Sequence, residues 1–224
     1  SYGDIAVDME GRLEIISNSV DTLCIGGGYN EDDSEIDLRS GKIGIHMHSH
    51  NGLAIGSFNG DALIDISDKC KLELTVSGIK VTGIGSCKGI ATISSSADIA
   101  ISCTGAQAVA IGSLEDGEGS IYIKSGNLMM KMRSAKNSAI GAIKGNMNTR
   151  VENADISIDS EGDEITGIGD ALGTGNVAII DSAVTMKILA ANPKDIGTGS
   201  GDLKIVNSTV SSLINNKVIT HSNI

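Results

Sequence analysis

The chain of 224 residues holds 29 glycines but one proline, is 40% hydrophobic and only 2% aromatic, and carries a formal net charge of −11. That apolar content is enough for a packed core and excludes wholesale disorder, while glycine without proline excludes a collagen-like or proline-rich linker chain. The acidic balance argues against a nucleic-acid ligand, and no run approaches the ~18 apolar residues of a membrane span.

Taken in order, the chain repeats three kinds of short segment. It opens with "LEIIS" (13–17) and "CIGGG" (24–28). Next come "IDL" (36–38), "IGIHM" (43–47) and "AIGS" (54–57), then "IDI" (64–66), "LELTV" (72–76) and "GIGS" (83–86). "ATI" (91–93), "IAISC" (99–103) and "AIGS" (110–113) precede "IYI" (121–123), "LMMKM" (128–132) and "AIGA" (139–142). "TRV" (149–151), "ISIDS" (156–160) and "GIGD" (167–170) follow, then "VAI" (177–179), "VTMKI" (184–188), "DIGT" (195–198) and "LKI" (203–205).

The glycine after the isoleucine falls at Gly26, Gly56, Gly85, Gly112, Gly141, Gly169 and Gly197, at separations of 30, 29, 27, 29, 28 and 28 residues. A fixed period in this range marks a repeat architecture. The alternating five-residue segments have strand periodicity, and no apolar stripe at helical spacing outlasts one turn. The spacing predicts an all-β parallel β-helix with three short strands per coil, about 28 residues per coil and seven to eight coils, forming one domain over residues 1–224. At roughly 4.8 Å per coil, the rod would be about 35–40 Å long. Each isoleucine of the phrase should stack on its equivalents, and each glycine should supply the backbone freedom of a corner.

Coils of this length resemble the right-handed parallel β-helix of pectate lyases and many bacterial surface proteins. The "AIGS" and "GIGS" phrasing is similar to Gly-Ile-Gly repeats in surface proteins of Gram-positive gut anaerobes. The resemblance implies a right-handed fold and does not carry a function with it.

Candidate sites are few. "HMHSH" puts His46, His48 and His50 on one side of a strand, about 6–7 Å apart, where two or three imidazoles could take zinc, copper or nickel. Their expected neighbours are Ile16 and Thr75 beside His46, and Asn18 and Ser77 beside His48. The acidic turns "NEDDSE" (30–35), "EDGEG" (115–119) and "SEGDE" (160–164) are hard-oxygen clusters of the kind calcium uses, or solvated turns that keep the rod soluble. The outward column of the first strand reads Asp37, Asp65, Thr92, Tyr122, Arg150, Ala178 and Lys204, in which Asp37 and Asp65 are a stacked carboxylate pair that could serve catalysis or one cation. Sugar sites lean on aromatic platforms, of which the chain has only Phe58, Tyr2, Tyr29 and Tyr122.

Cys24, Cys70, Cys87 and Cys103 lack metal-ligand spacing. Cys24 and Cys103 read as small core hydrophobes, while Cys70 and Cys87 fall in turns and are expected nearer the surface.

The expected function is a non-catalytic structural or binding module, a rigid stalk or adhesion domain of a bacterial surface protein. The alternatives are a carbohydrate-active enzyme or calcium-dependent glycan binder on the same scaffold, and an intracellular sensory or scaffolding domain. No cofactor is expected beyond Ca²⁺ or Zn²⁺ at the clusters named. The expected partner is a glycan or protein surface ligand, with neither nucleic acid nor a membrane span. Open strand edges at the rod's ends invite end-to-end self-association. Location outside the cell or at its surface is expected, with the cytoplasm as the alternative, and the chain reads as a piece of a larger protein whose signal peptide is absent or already removed.

Overall fold

The computed structural model describes residues 3–27, 33–115 and 117–223. The chain is all β, a parallel solenoid of about seven turns with roughly 28 residues per turn. Each turn pairs a short strand with a long one. β1 (Gly3–Val7) and β2 (Arg12–Gly27) make the first turn, β3 (Ser34–Leu38) and β4 (Gly41–Ser57) the second, and β5 (Ala62–Ile66) and β6 (Cys70–Ser86) the third. β7 (Ile90–Ser95) with β8 (Asp98–Ser113), β9 (Gly117–Ile123) with β10 (Gly126–Ala142), and β11 (Gly145–Glu152) with β12 (Ala154–Asp170) continue the pattern. β13 (Val177–Ile180), β14 (Ala183–Ile196), β15 (Leu203–Val206), β16 (Thr209–Ile214) and β17 (Lys217–His221) complete it. The odd-numbered strands β1 to β15 form one sheet, and the even-numbered strands with β17 form the other.

The second and third strands expected in each coil are therefore one bent strand. The register runs through the bend: β4 and β6 keep one offset from Gly41 with Cys70 to Ser57 with Ser86, with His50 skipped at the bend. The side-chain alternation breaks there and reads as a turn, but the register does not shift.

The isoleucines of the phrase form one column. Ile25 pairs with Ile55, Ile55 with Ile84, Ile84 with Ile111, Ile111 with Ile140, Ile140 with Ile168, and Ile168 with Ile196. Their side chains are buried in a single aliphatic core. Alternate residues of the long strands point into it: Ile43, Ile45 and Met47 are buried while His46, His48 and His50 face solvent. One column differs from the sequence reading. Asp65 pairs with Ser94, not Thr92, which instead faces Leu63. Alternation alone fits either register there, and stacking of Ile64 on Ile93 fixes the actual one.

The two ends differ. At the C-terminal end β17 turns back antiparallel on β16 through Asn215 and Asn216, both at positive φ (46° and 65°), as a two-residue hairpin requires. At the other end Ile5, Val7, Leu13 and Ile15 lie on the core half-buried.

Candidate functional site

The bend in each long strand creates a concave face. Between the bend and the corner loop that follows each phrase, one column runs Leu53, Thr82, Val109, Ser138, Thr166, Lys194. These residues stand two places before the inward isoleucines, yet they lie outside the main core, because alternation is interrupted there and the intervening Ala54, Ala110 and Ala139 pack into the core beside the isoleucines. The loop folds back over them. Ladder hydrogen bonds from Cys87, Leu114, Ile143 and Ala171 to the preceding turns stack those residues, with Phe58, into a second column.

In the early turns the two columns close into a small apolar layer outside the main core. Leu53, Phe58, Val109 and Leu114 are all buried there, and Thr82 Oγ1 and Cys87 Sγ stand 4.0 Å apart. In later turns the side chains change. Ser138 donates to the Gly169 carbonyl at 3.2 Å, Ile143 is partly exposed, and Ala171 is small. Lys194 crosses beneath, its Nζ donating to the Ala171 carbonyl at 3.1 Å. Where the layer thins, a groove of about 920 Å³ opens, bordered by Gln107, Lys136, Glu164 and Asn192 on the bend and by Glu115, Lys144 and Leu172 on the loops. A separate depression of about 190 Å³, beside Asn51, Lys80 and Phe58, shares Leu114 and Glu115 with it, and the Lys80–Glu115 ion pair joins bend to loop at their common border.

The bend wall is a register column: Asn51, Lys80, Gln107, Lys136, Glu164 and Asn192. Lys80 and Lys88 both reach Glu115, and Lys136 pairs with Glu164 at 2.9 Å. Among the described lining residues of the two depressions, five lysines (Lys80, Lys88, Lys136, Lys144, Lys194) face two glutamates (Glu115, Glu164). The chain as a whole has 17 basic and 28 acidic residues, so the groove inverts its charge.

The histidines anticipated from sequence lie elsewhere, on the outer face of β4. His46 Nε2 is 2.9 Å from Glu14 Oε1, and His48 Nδ1 is 2.9 Å from Ser77 Oγ. Glu14 reaches His46 diagonally because its register partner is Gly44, which leaves room for the carboxylate. Arg12 also holds Glu14, at 2.6 Å. Among the described residues no three His, Cys, Asp or Glu side chains gather in an arrangement that could hold a metal ion.

Asp37 and Asp65 are register neighbours, as expected, but each has its own partner. Arg39 Nε lies 2.6 Å from Asp37, while Ser94 Oγ and Lys124 Nζ lie 2.5 and 3.7 Å from Asp65. In the same sheet Tyr122 donates to Glu152, which Arg150 also binds, and these hydrogen bonds, Tyr122's first, hold the Glu152 carboxyl below its ordinary range. Asn30, Glu31, Asp32 and Asp116 of the acidic turns, with Tyr2 and Tyr29, lie outside the described residues. In "SEGDE", Glu161 and Glu164 are paired to Arg133 and Lys136.

The thiols are more enclosed than their turn positions implied. Cys70 is buried, its Sγ donating to the Leu38 carbonyl at 3.1 Å, and Cys87 lines the smaller depression. Cys103 is buried in the core and Cys24 partly so.

Sequence reasoning missed the groove because it followed the inward columns. The available signal was the residue two places after each phrase glycine: Phe58, Cys87, Leu114, Ile143 and Ala171 are apolar in five consecutive periods. Among the described residues no helix is long and apolar enough to cross a membrane. No family model matches this chain, and no curated protein or solved structure matches it significantly.

Proposed function

We propose that this chain is a non-catalytic binding module: a rigid, right-handed solenoid that serves as a stalk or adhesion domain at a bacterial surface and holds one lengthwise groove toward an extended partner. The observation that carries the reading is the charge inversion: among the described lining residues five lysines stand against two glutamates, in a chain of net charge −11. Two further features support it. The groove's bend wall is built from register-locked columns, so its shape is set before any partner arrives, which lowers the entropy lost on binding. The titratable side chains of that wall are matched in ion pairs, a recognition surface rather than an acid–base pair poised for chemistry.

An array of immobilised peptides and glycans, probed with the labelled chain and then examined for released products, tests this. The reading expects retention that falls with salt and that the double variant Lys88→Glu/Lys136→Glu abolishes. Equal retention by that variant would place binding elsewhere. Release of a cleaved product would overturn the non-catalytic assignment.

A further inference from the structure

The groove's lining specifies more than a sign of charge. Its surface between the lysines is aliphatic, supplied by the partly exposed Ile143, Ala171 and Pro193 and the exposed Leu172, over the buried Leu114 and Ile165. Leu172 is 76% exposed, an apolar side chain standing on the rim. Flat sugar faces stack on aromatic rings, whereas branched aliphatic side chains pack into aliphatic depressions. Amide side chains at Asn51, Gln107 and Asn192 recur along the bend wall, each able to donate to and accept from a peptide group.

Direction matters as well. The groove runs along the solenoid axis, across the strands. The backbone groups of both walls are already used in coil-to-coil ladders. A ligand therefore cannot add as another strand and must be read by side chains. From Gln107 to Asn192 the bend wall of the larger depression crosses three coil-to-coil steps. At roughly 4.8 Å each that is about 14 Å, the span of about four extended residues.

From the charge, the aliphatic floor and the length together, we infer that the groove binds an extended acidic peptide segment of a partner protein, in which aliphatic side chains alternate with carboxylates. The inference rests on the groove being the binding face proposed above. The aliphatic residues seat on Ile143, Ala171 and Pro193, and the carboxylates meet Lys88 and Lys136 along the rim. Lys136 then exchanges part of its pairing with Glu164 for a ligand carboxylate, so the intramolecular pairs compete with the partner.

Fluorescence anisotropy with a labelled peptide of about eight residues alternating leucine and glutamate tests this. Controls alternate leucine with lysine and serine with glutamate, and a linear oligouronide supplies the glycan arm. The Leu–Glu peptide should bind, the Leu–Lys peptide should not, and the Ser–Glu peptide should bind more weakly. Raising salt from about 50 to about 300 mM should weaken the Leu–Glu complex about tenfold. Lys88→Glu/Lys136→Glu should weaken it by about tenfold or more, with an unchanged thermal midpoint as the check on folding. Glu115→Gln/Glu164→Gln should strengthen it about threefold, a gain that misfolding cannot mimic. Leu172→Ser should weaken the Leu–Glu complex and leave the Ser–Glu complex unchanged.

Preference for the oligouronide, lost in the lysine variant, would overturn the peptide assignment while leaving the binding module standing. Binding of Leu–Lys equal to Leu–Glu, or indifference to both double variants, would also overturn it. Silence from every anisotropy probe and from the array would overturn both readings.

Discussion

Gly112 lies at φ +135° directly against Gly141, and a Cβ built on it would overlap the Gly141 carbonyl oxygen. Gly197, the last glycine of the same column, has φ +116° but nothing within 4 Å of such a Cβ. The two positions separate backbone strain from collision with the next coil. Gly197→Ala should lower unfolding free energy by about 1–2 kcal/mol, the strain alone. Gly112→Ala should lower it by about 3 kcal/mol or more, because backbone must also move. Denaturant titration of both variants checks this, and losses within about 0.5 kcal/mol of each other would rule out the collision as a separate cost.

Ile111 is fully buried between Ile84 and Ile140. Its truncation to alanine leaves a void with rigid coils above and below that cannot collapse to fill it. The expected loss is about 3–4 kcal/mol. Ile5→Ala, at the half-buried first coil, should lose less than half as much. Equal losses in calorimetry would mean that the stack is not continuous through the middle of the rod.

The parts of the fold that were legible in sequence are those where one side chain per coil is repeated without exception. The phrase isoleucines and the run Leu13, Ile43, Leu72, Ile99, Leu128, Ile156, Val184 stack as their spacing implied. Thr92 was misplaced because a two-residue slip preserves alternation, and only the three-dimensional contact of Ile64 with Ile93 distinguishes the registers. The bend at Ser49–Asn51 looked like a break because the alternation stops there, although Ser49 still donates to the Val20 carbonyl of the coil before it at 3.0 Å. The groove was illegible for a different reason. It needs the loop of each coil folded back on its own strand, and the apolar position two places after each phrase glycine marks a packed loop residue without saying which face it covers.

Two buried carboxyls should give opposite pH slopes. Burial alone would raise Asp195, but hydrogen bonds from His221 and from the Ile196 N–H outweigh it and hold the group below its ordinary range. A depressed value stabilises the fold above the unfolded value near 3.9, and that stability is lost as pH falls through the folded one. Asp195→Asn should therefore destabilise at pH 7 by about 1 kcal/mol and flatten the acid limb below about pH 4.

Burial raises Asp170, only partly countered by the Met147 N–H, which donates to it at 2.9 Å. Its folded form holds the proton more tightly than the unfolded chain, so it subtracts stability as pH rises from about 3.9 through its folded value. Asp170→Asn should be neutral or stabilising at pH 7. Unfolding free energies measured from about pH 2 to about pH 8 decide both, and a large loss at pH 7 in Asp170→Asn would contradict a raised Asp170.

The thiols should be inert in the folded chain. Burial pushes Cys103 and Cys87 up to about 12, the latter against a contact with Thr82. Burial, with the carboxylates of Asp37, Asp8 and Asp68, pushes Cys70 up to about 11. The thiolate is the reacting species, so iodoacetamide at about pH 8 should leave these three unmodified for hours and label all four cysteines only after unfolding. Mass spectrometry of the alkylated native chain reads the outcome. Rapid labelling of Cys87 would mean that the loop over the groove opens freely.

The inward columns, the bend wall and the groove all depend on one alignment, in which each coil lies in register on the last. Nuclear Overhauser contacts between isoleucine methyl groups, in an otherwise deuterated chain, read that alignment directly. The expected result is an unbroken sequence of cross-peaks linking Ile25, Ile55, Ile84, Ile111, Ile140, Ile168 and Ile196, each to its immediate neighbours only. A cross-peak that joins Ile84 to Ile140 while skipping Ile111, or a gap anywhere between Ile55 and Ile168, would contradict it.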